Sequence, residues 1–258
     1  MTRIAITRAV PERIGDCQLT HRERAPIDVA LARRQHAAYE AALEELGCEI
    51  RRLPEEPEMA DSVFVEDTAV VFDEVAVIAR PGAPARRREV PSVEAALHPL
   101  RPLARIEGPG TLDGGDVLVI GRGVFVGLTS RTNEAGIERL RSIVAPHGYR
   151  VRAVEVRGCL HLKSAATALD DRAVLVYPGA IDPTVFDGLE RIEVDPSEPD
   201  AANGLRMGDV FLHPAAFRRT ARRIRTHGLR VVPLDLSELA KAEGAVTCCS
   251  LLVRTSRA

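Results

Sequence analysis

The sequence contains no tryptophan, no long apolar run and only five cysteines in 258 residues. An odd number of cysteines without paired-ligand spacing excludes a disulfide framework and a zinc ribbon, and it indicates free thiols in a reducing compartment. No stretch approaches the roughly 20 apolar residues of a membrane span, and the apolar run at the N-terminus is too short for a signal peptide. We therefore predict a cytoplasmic protein.

A large net charge is also missing. The 35 basic and 37 acidic residues give a formal net charge of −2, which argues against nucleic acid or a membrane surface as a general partner. Any charged ligand must therefore be recognised by a local set of residues. The 45% apolar content is ample for a packed core, and we expect a single domain over residues 1–258.

A repeated order of elements runs through the chain. Helix-like stretches that pass into a short alternating segment lie at residues 28–53, 133–156 and 214–236, with weaker copies ending at 103–107 and 189–194. Apparent hairpins lie between them at residues 68–79, 116–127, 167–177 and 203–214. Residues 249–254 would supply a fifth antiparallel pair by joining residues 2–8. The chain would then close on itself.

This repeat predicts an α/β fold of five ββαβ units, each of roughly 40 to 50 residues, arranged as blades around a central axis. A three-stranded sheet buries too little surface alone, so the units must pack on one another. A doubly wound sheet is the alternative. The hairpins favour the propeller, because a doubly wound sheet is built from parallel strands joined by helical crossovers.

The loop before each hairpin carries residues capable of chemistry. Along the chain these are Asp61, Glu66, Asp67, Asp113, Asp116, His161, Asn203, Cys248 and Cys249. Equivalent loops of a closed ring meet at one end of the axis, so these residues become neighbours. Each alone has an ordinary explanation: a core histidine, a tight glycine turn or packed thiols. Their shared position in the repeat favours a functional site.

Arginines lie just outside these loops. Arg86, Arg87 and Arg88 follow the first predicted hairpin, and Arg131 follows the second. The simple alternatives are a solvated basic turn and a surface residue beside the helix cap at Thr132 or Asn133. Carboxylates together with a pair of arginines would suit a zwitterionic substrate with a cationic head and a carboxylate tail, because arginine grips carboxylates bidentately.

A cysteine with a histidine at hand fits covalent catalysis on an electrophilic carbon. Three acidic residues would hold a planar guanidinium or amidine there: Asp61, Glu66 and Asp67. His161 would protonate the departing amine and later activate water, while Asp113 would orient its ring. The product would carry a ureido group.

The acidic surroundings give the cysteine no reason for a lowered pKa, whereas a bound guanidinium would favour the thiolate. We therefore expect ionisation of the thiol to be assisted by the substrate.

Several segments, in order, resemble one known family. They are "DSVFVEDTAVV", "RPGAPARR", "TLDGGDVL", "GLTSRTNEAG", "LHLKS", "AAN" and "TCCSLL". The resemblance is to the dimethylarginine dimethylaminohydrolases, which belong to the guanidine-modifying group with the pentein fold, and it covers nearly the whole chain. It implies a five-bladed α/β propeller that converts N-methylated arginines to citrulline and a methylamine without cofactor or metal.

The resemblance also implies residue roles. Cys248 matches the nucleophile, which leaves Cys249 for packing, and His161 matches the proton donor. Asp113 takes a position where some relatives have glutamate, so it would orient His161 through a shorter side chain. Strand alternation should send the two sulfurs in opposite directions. The positions that match substrate-binding residues are Leu19, Asp61, Glu66, Asp67, Arg86, Arg131 and Ala242.

Other readings of the site stay open. An arginine deiminase would perform the same chemistry on unmethylated arginine, and an amidine transferase is a further possibility. A ribosome-binding factor shares the propeller architecture, but it would need no set of cysteine, histidine and carboxylates. The segment "AANGLRMGD" departs from the family pattern after Asn203. We expect a small-molecule partner; the exposed turn at Arg86 to Arg88 or the closing strands could serve a homodimer.

Overall fold

Residues 2–255, which the computed structural model describes, form five three-stranded sheets. In each sheet the central strand runs antiparallel to one neighbour and parallel to the other. The first sheet combines β1 (Thr2–Arg8), β2 (Cys48–Leu53) and β15 (Leu251–Thr255). The second and third contain β3 (Ala69–Val71), β4 (Ala76–Ile78), β5 (Leu103–Arg105), β6 (Val117–Ile120), β7 (Gly123–Leu128) and β8 (Arg150–Glu155). The fourth and fifth contain β9 (Ala166–Ala168), β10 (Ala173–Val176), β11 (Glu190–Glu193), β12 (Leu205–Met207), β13 (Val210–Pro214) and β14 (Arg230–Leu234).

The two ends of the chain close the ring, as the sequence predicts. Strand β15 pairs antiparallel with β1, with Val253 opposite Ile4, while β2 pairs parallel on the other side of β1. The four predicted hairpins are also present. The predicted five-bladed α/β propeller is therefore confirmed, and the doubly wound alternative is wrong.

In four of the five sheets, a helix links the central strand to the strand that pairs parallel with it. These helices are α1 (Val29–Glu45), α2 (Val90–Leu97), α3 (Glu134–Val144) and α5 (Arg218–Thr226). Asn133 begins α3 by accepting the N–H of Gly136, so one of the two predicted cap residues is the cap. Gly47 follows the end of α1 with a φ of +84°, a conformation that glycine adopts without steric cost.

The fourth sheet has a different connection. The weaker sequence copy before residues 189–194 contains no α-helix; a single 3-10 turn, Pro183–Phe186, occupies its place. Proline lacks the N–H that a helix interior requires, and Pro178 and Pro183 both fall in this short connection. Phe186 is fully buried there and packs on Phe125 of the neighbouring blade.

A short helical turn precedes the first strand of each hairpin and of the closing pair. These turns are Val65–Thr68, Gly114–Asp116, α4 (Leu162–Ala165), Pro199–Ala202 and Thr247–Cys249. The turn Val65–Thr68 contacts both Gly114–Asp116 and Thr247–Cys249, and α4 contacts Gly114–Asp116 and Pro199–Ala202. The loops of all five units therefore meet around the axis, as predicted.

The core lies between adjacent blades. Tyr39 and Leu43 of α1 pack with Leu212 of β13 and with Leu239 of α6 (Ser237–Lys241), so the first blade is joined to the fifth. None of the helices in residues 2–255 has the length and apolar character needed to cross a bilayer.

Candidate active site

A small pocket opens at the end of the axis where the loops meet. Its volume is about 10 Å³, which is room for about one water molecule. Most of the predicted site residues line it: Asp61, Asp67, Arg86, Arg131, His161, Ala242 and Cys248. They come from different blades, so the propeller brings together residues that are distant in sequence.

His161 precedes α4 and is buried between carboxylates. Its Nε2 lies 3.1 Å from Oδ2 of Asp113, and its Nδ1 lies 3.9 Å from Oδ1 of Asp67. Burial by itself lowers the pKa of His161, but the charges of Asp67 and Asp116 and the contact with Asp113 outweigh it and raise the pKa to about 9. At neutral pH the ring is an imidazolium that can donate a proton.

Asp113 is fully buried behind the histidine. Its Oδ1 accepts the N–H of Gly82 at 2.9 Å, and its own N–H donates to Oγ1 of Thr132 at 3.1 Å. Because both ends of the residue are held, the short aspartate side chain presents Oδ2 to His161 in a fixed orientation.

Two glycines make this approach possible. A Cβ added to Gly115 would lie 2.6 Å from Nδ1 of His161, and one added to Gly114 would lie 2.0 Å from the carbonyl oxygen of Glu66. The N–H of Gly115 donates to Oδ1 of Asp67 at 3.0 Å. The "GGD" motif is therefore a close backbone passage, and that passage creates the space for His161.

Asp67 and Arg86 form a buried ion pair in the pocket wall. Burial alone would raise the pKa of Asp67, but the positive charges of His161 and Arg86 lower it to about 2. Arg86 also pairs with Glu89, with 2.8 Å between Nη2 and Oε2. The predicted exposed turn is wrong for Arg86, which is only 4% exposed because these two carboxylates draw it inward.

Asp61 and Arg131 connect the pocket to the loop of residues 18–24. Both carboxylate oxygens of Asp61 accept the N–H of Gln18, and burial raises the pKa of Asp61. Arg131 donates from Nη2 to Oγ1 of Thr20 at 3.2 Å. A carboxyl group and a guanidinium group therefore line the pocket beneath this loop.

The same loop is held from the opposite side by Glu243. The Glu243 carboxylate accepts the N–H groups of Thr20 at 3.0 Å, His21 at 2.5 Å and Arg22 at 2.7 Å. Glu243 has a φ of +58°, a rare conformation for a residue with a side chain. Leu19, within the loop, is half-buried and packs against the core beneath α1, so its contact with a ligand stays a prediction.

Glu66 lies at the base of the site. Its carboxylate pairs with Nζ of Lys163 and accepts the hydroxyl of Thr247 at 2.7 Å. These three residues also line the wider cavity, of about 660 Å³, at the other end of the axis. Direct contact between Glu66 and a substrate stays a prediction.

The two adjacent cysteines occupy different environments. Cys248 is half-buried and lines the pocket, whereas Cys249 is fully buried in the core. The predicted separation is present, but the predicted reason is wrong: both lie in the 3-10 turn Thr247–Cys249, ahead of β15. Burial and the charges of Glu66 and Asp67 raise the pKa of Cys248 well above that of a free thiol.

One group of side chains in residues 2–255 is compact enough to share a metal ion: Asp67, Asp113 and His161, whose ligand atoms lie within 4.8 Å of one another. Arg86, Gly82 and Gly115 already donate hydrogen bonds to the two carboxylates. These donors compete with a cation for the same oxygen atoms, and the arrangement suits the holding of a proton.

Several residues of the site were missed by the sequence analysis. No motif in the sequence marks Glu89 or Glu243 as a site residue. Each only lies next to a residue that was singled out: Glu89 follows the triple arginine, and Glu243 follows Ala242. Asp116 stood in a recognised loop without a role; it accepts the N–H of Leu162, directly after His161, at 3.0 Å, and burial raises its pKa to about 6. Lys163 lies two residues after His161, and that spacing could have identified it.

Comparison of the sequence with known proteins identifies its relatives. The arginine deiminase family model matches residues 56–205. A dimethylarginine dimethylaminohydrolase from Streptomyces coelicolor is 42% identical over 252 residues, which covers 97% of this chain and 96% of the relative. The enzyme of the same name from Pseudomonas aeruginosa is 34% identical over 226 residues, covering 87% and 89%.

Solved structures give the same result. A cysteine-to-serine variant of the Pseudomonas aeruginosa enzyme in complex with citrulline has a TM-score of 0.92 and 32% sequence identity, covering 98% of this chain and 99% of that one. The N-terminal domain of ArgZ, a cyanobacterial arginine dihydrolase, has a TM-score of 0.89 at 18% identity and covers 98% of each chain. The second similarity shows the fold alone.

Proposed function

The chain belongs to the dimethylarginine dimethylaminohydrolase family, and we propose that it hydrolyses N-methylated arginine to citrulline and dimethylamine or methylamine. The observation that carries the proposal is the meeting of Cys248 and His161 at one pocket whose wall also holds acids and arginines, with Asp113 in contact with His161 from behind the pocket. The reaction is hydrolysis of a C–N bond of a linear amidine.

The two ends of such a substrate need opposite charges. We assign the substrate guanidinium to Asp67, because the lowered pKa of Asp67 keeps its carboxylate ionised. We also assign guanidinium binding to Glu66, which lies at the base of the site. We assign the substrate carboxylate to Arg131 and Arg86, because guanidinium groups bind carboxylates in bidentate geometry. Asp61 lines the same pocket as Arg131, and we assign it the α-ammonium group in place of the guanidinium expected from the sequence.

In the chemical step, the Cys248 thiolate attacks the guanidinium carbon and forms a C–S bond. The C–N bond to the methylated nitrogen then breaks, and the proton held by His161 goes to the departing amine. The enzyme is left with a thiouronium on Cys248 and a neutral imidazole. Water, deprotonated by His161, attacks the same carbon, and the C–S bond breaks with the thiolate as leaving group. The remaining hydroxyl proton goes to solvent, which releases citrulline and leaves His161 protonated for the next cycle.

Asp113 acts on this sequence through His161. Its carboxylate holds the ring and stabilises the imidazolium, as the third member of a catalytic triad does. The raised pKa of His161 supports its role as the first proton donor. The raised pKa of Cys248 means that the thiol needs a nearby cation before it ionises, and the substrate guanidinium supplies one.

Substrate also has to enter. A pocket of about 10 Å³ has no room for an arginine derivative. We assign the opening to the loop of residues 18–24, which carries Leu19 and is held by hydrogen bonds to Glu243, Asp61 and Arg131. Leu19 and the main chain of Ala242 would then close over the bound substrate.

The experiment that tests the proposal is an assay of citrulline together with the released amine, on asymmetric dimethylarginine, monomethylarginine and arginine. We expect dimethylarginine to give citrulline and dimethylamine in equal amounts. The match to the arginine deiminase model makes arginine the informative competitor. Citrulline and ammonia from arginine, with no product from either methylated substrate, would replace the proposal with arginine deiminase activity.

A further inference from the structure

Asn203 links the two loops that carry Cys248 and His161. Its Oδ1 accepts the N–H of Thr247 at 3.1 Å, and its Nδ2 donates to Oγ1 of Thr247 and to the carbonyl oxygen of Lys163, both at 3.0 Å. Thr247 directly precedes Cys248, and Lys163 is the second residue after His161. One side chain therefore fixes both loops.

The link continues to a third loop. The Thr247 hydroxyl donates a hydrogen bond to Oε2 of Glu66 at 2.7 Å, and the other oxygen of Glu66 pairs with the Lys163 ammonium. These contacts close a ring of four residues beneath the pocket: Asn203, Thr247, Glu66 and Lys163. Asn203 is only 3% exposed, so water offers its partners little substitute.

We propose that Asn203 is a positioning residue that sets the separation between the Cys248 thiol and the His161 ring. The assignment of these two reacting groups rests on the proposed function. Asn203 does not line the catalytic pocket; it lines a neighbouring cavity of about 420 Å³ that shares Leu160 and Glu243 with that pocket. Its effect is on geometry, and a displacement of about 1 Å can cost about a hundredfold in rate.

Only a carboxamide meets the demands of this position. Thr247 N–H needs an acceptor, whereas the Lys163 carbonyl and the Thr247 hydroxyl oxygen both need donors. A carboxylate would keep the acceptor and lose both donors. It would also leave Thr247 between two acids, Glu66 and the new one, with a single hydroxyl proton to share.

Asn203→Asp is the first test, because it changes the donors and hardly changes the shape. We expect kcat for dimethylarginine to fall about 10- to 100-fold while KM stays within about threefold, since the loss is in alignment and not in binding. Gln35→Glu is the matched control. Gln35 is a carboxamide of similar burial, 5% exposed, that joins α1 to Ser237 and Glu238 by two hydrogen bonds.

A second pair of variants examines the partner. Thr247→Ser keeps the hydroxyl and should retain kcat within about twofold, whereas Thr247→Val loses it and should match the loss in Asn203→Asp. The double variant Asn203→Asp/Thr247→Val should be no slower than the worse single variant, because groups in one network are not additive. A merely structural effect would add the two losses.

The outcomes separate the inference from the proposed function. If the wild type forms no citrulline from a methylated arginine, the proposed function fails whatever Asn203 does. If Cys248→Ser keeps wild-type activity, Cys248 is not the nucleophile and the separation that Asn203 is proposed to set has no role. If Cys248→Ser is inactive and Asn203→Asp keeps kcat within twofold of the wild type, the positioning role is wrong. If Asn203→Asp does not fold by circular dichroism, the Thr247 pair decides, and equal kcat values for Thr247→Ser and Thr247→Val overturn the inference.

Discussion

His161 Nε2 lies 3.1 Å from Oδ2 of Asp113, a residue that the chain supplies 48 positions earlier and from another blade. The contact joins a proton donor to the carboxylate that orients it, although the two residues lie far apart in the sequence. It exists because the loops of successive blades converge on the axis. Most of the site can be understood as a consequence of that convergence.

Asp113→Asn should move the alkaline limb of the pH profile. The variant removes a negative charge beside His161, so the pKa of the ring falls from about 9 toward its ordinary value of 6.5. Because His161 must be protonated to act as the acid, kcat/KM should decline at lower pH in the variant, by on the order of one pH unit. Profiles from pH 6 to 10 measure the shift. The exposed control Asp182→Asn should match the wild type, and an unmoved limb in Asp113→Asn would contradict the assignment.

Gly115→Ala should abolish most activity. The new methyl group would lie 2.6 Å from Nδ1 of His161 and 2.8 Å from Oδ1 of Asp67, so the ring or the carboxylate must shift. We expect kcat to fall at least about a hundredfold. Gly15→Ala is the control, because a Cβ there meets nothing within 4 Å. Wild-type kcat in Gly115→Ala would show that His161 has no need of this space.

Glu243→Ala should loosen the loop of residues 18–24. The substitution removes the acceptor of three backbone N–H groups, and hydrogen bonds to a charged group contribute about 1.5 to 3 kcal/mol each. Hydrogen exchange at Thr20, His21 and Arg22 should become faster, and KM should rise several-fold as closure over the substrate weakens. The exposed Glu44→Ala should change neither. Unchanged exchange in Glu243→Ala would mean that other contacts hold the loop.

Ionisation of Cys248 should depend on a bound cation. Burial and the charges of Glu66 and Asp67 raise its pKa, and a guanidinium in the pocket would lower it again. Ultraviolet titration of the thiolate with and without a nonreactive guanidine ligand measures the change, with Cys248→Ser as the background. The apparent pKa should fall on binding. An unchanged value would rule out assistance by the substrate.

The propeller was predictable because its signals are local and repeated. Alternating apolar runs around turns marked each hairpin, and Gly47 marked the end of α1. The fourth connection was the exception. Pro178 and Pro183 break the helical pattern there, so the repeat predicts a helix that the chain does not form.

The site was predictable as a set of loops but not in its orientations. Which blade each residue came from followed from the repeat. The direction of Glu66, which turns to Lys163, and the burial of Arg86 between Asp67 and Glu89 depend on side chains from other blades. Sequence spacing within one unit holds no information on such contacts.

The central claim is that Cys248 is the nucleophile and that Cys249 only packs in the core. The most direct measurement is citrulline formation from dimethylarginine by the wild type, Cys248→Ser and Cys249→Ser, with mass spectrometry of each quenched protein. We predict an adduct of the amidine carbon on Cys248 in the wild type, no turnover in Cys248→Ser, and near wild-type turnover in Cys249→Ser. Full activity in Cys248→Ser, or an adduct on Cys249, would contradict the account.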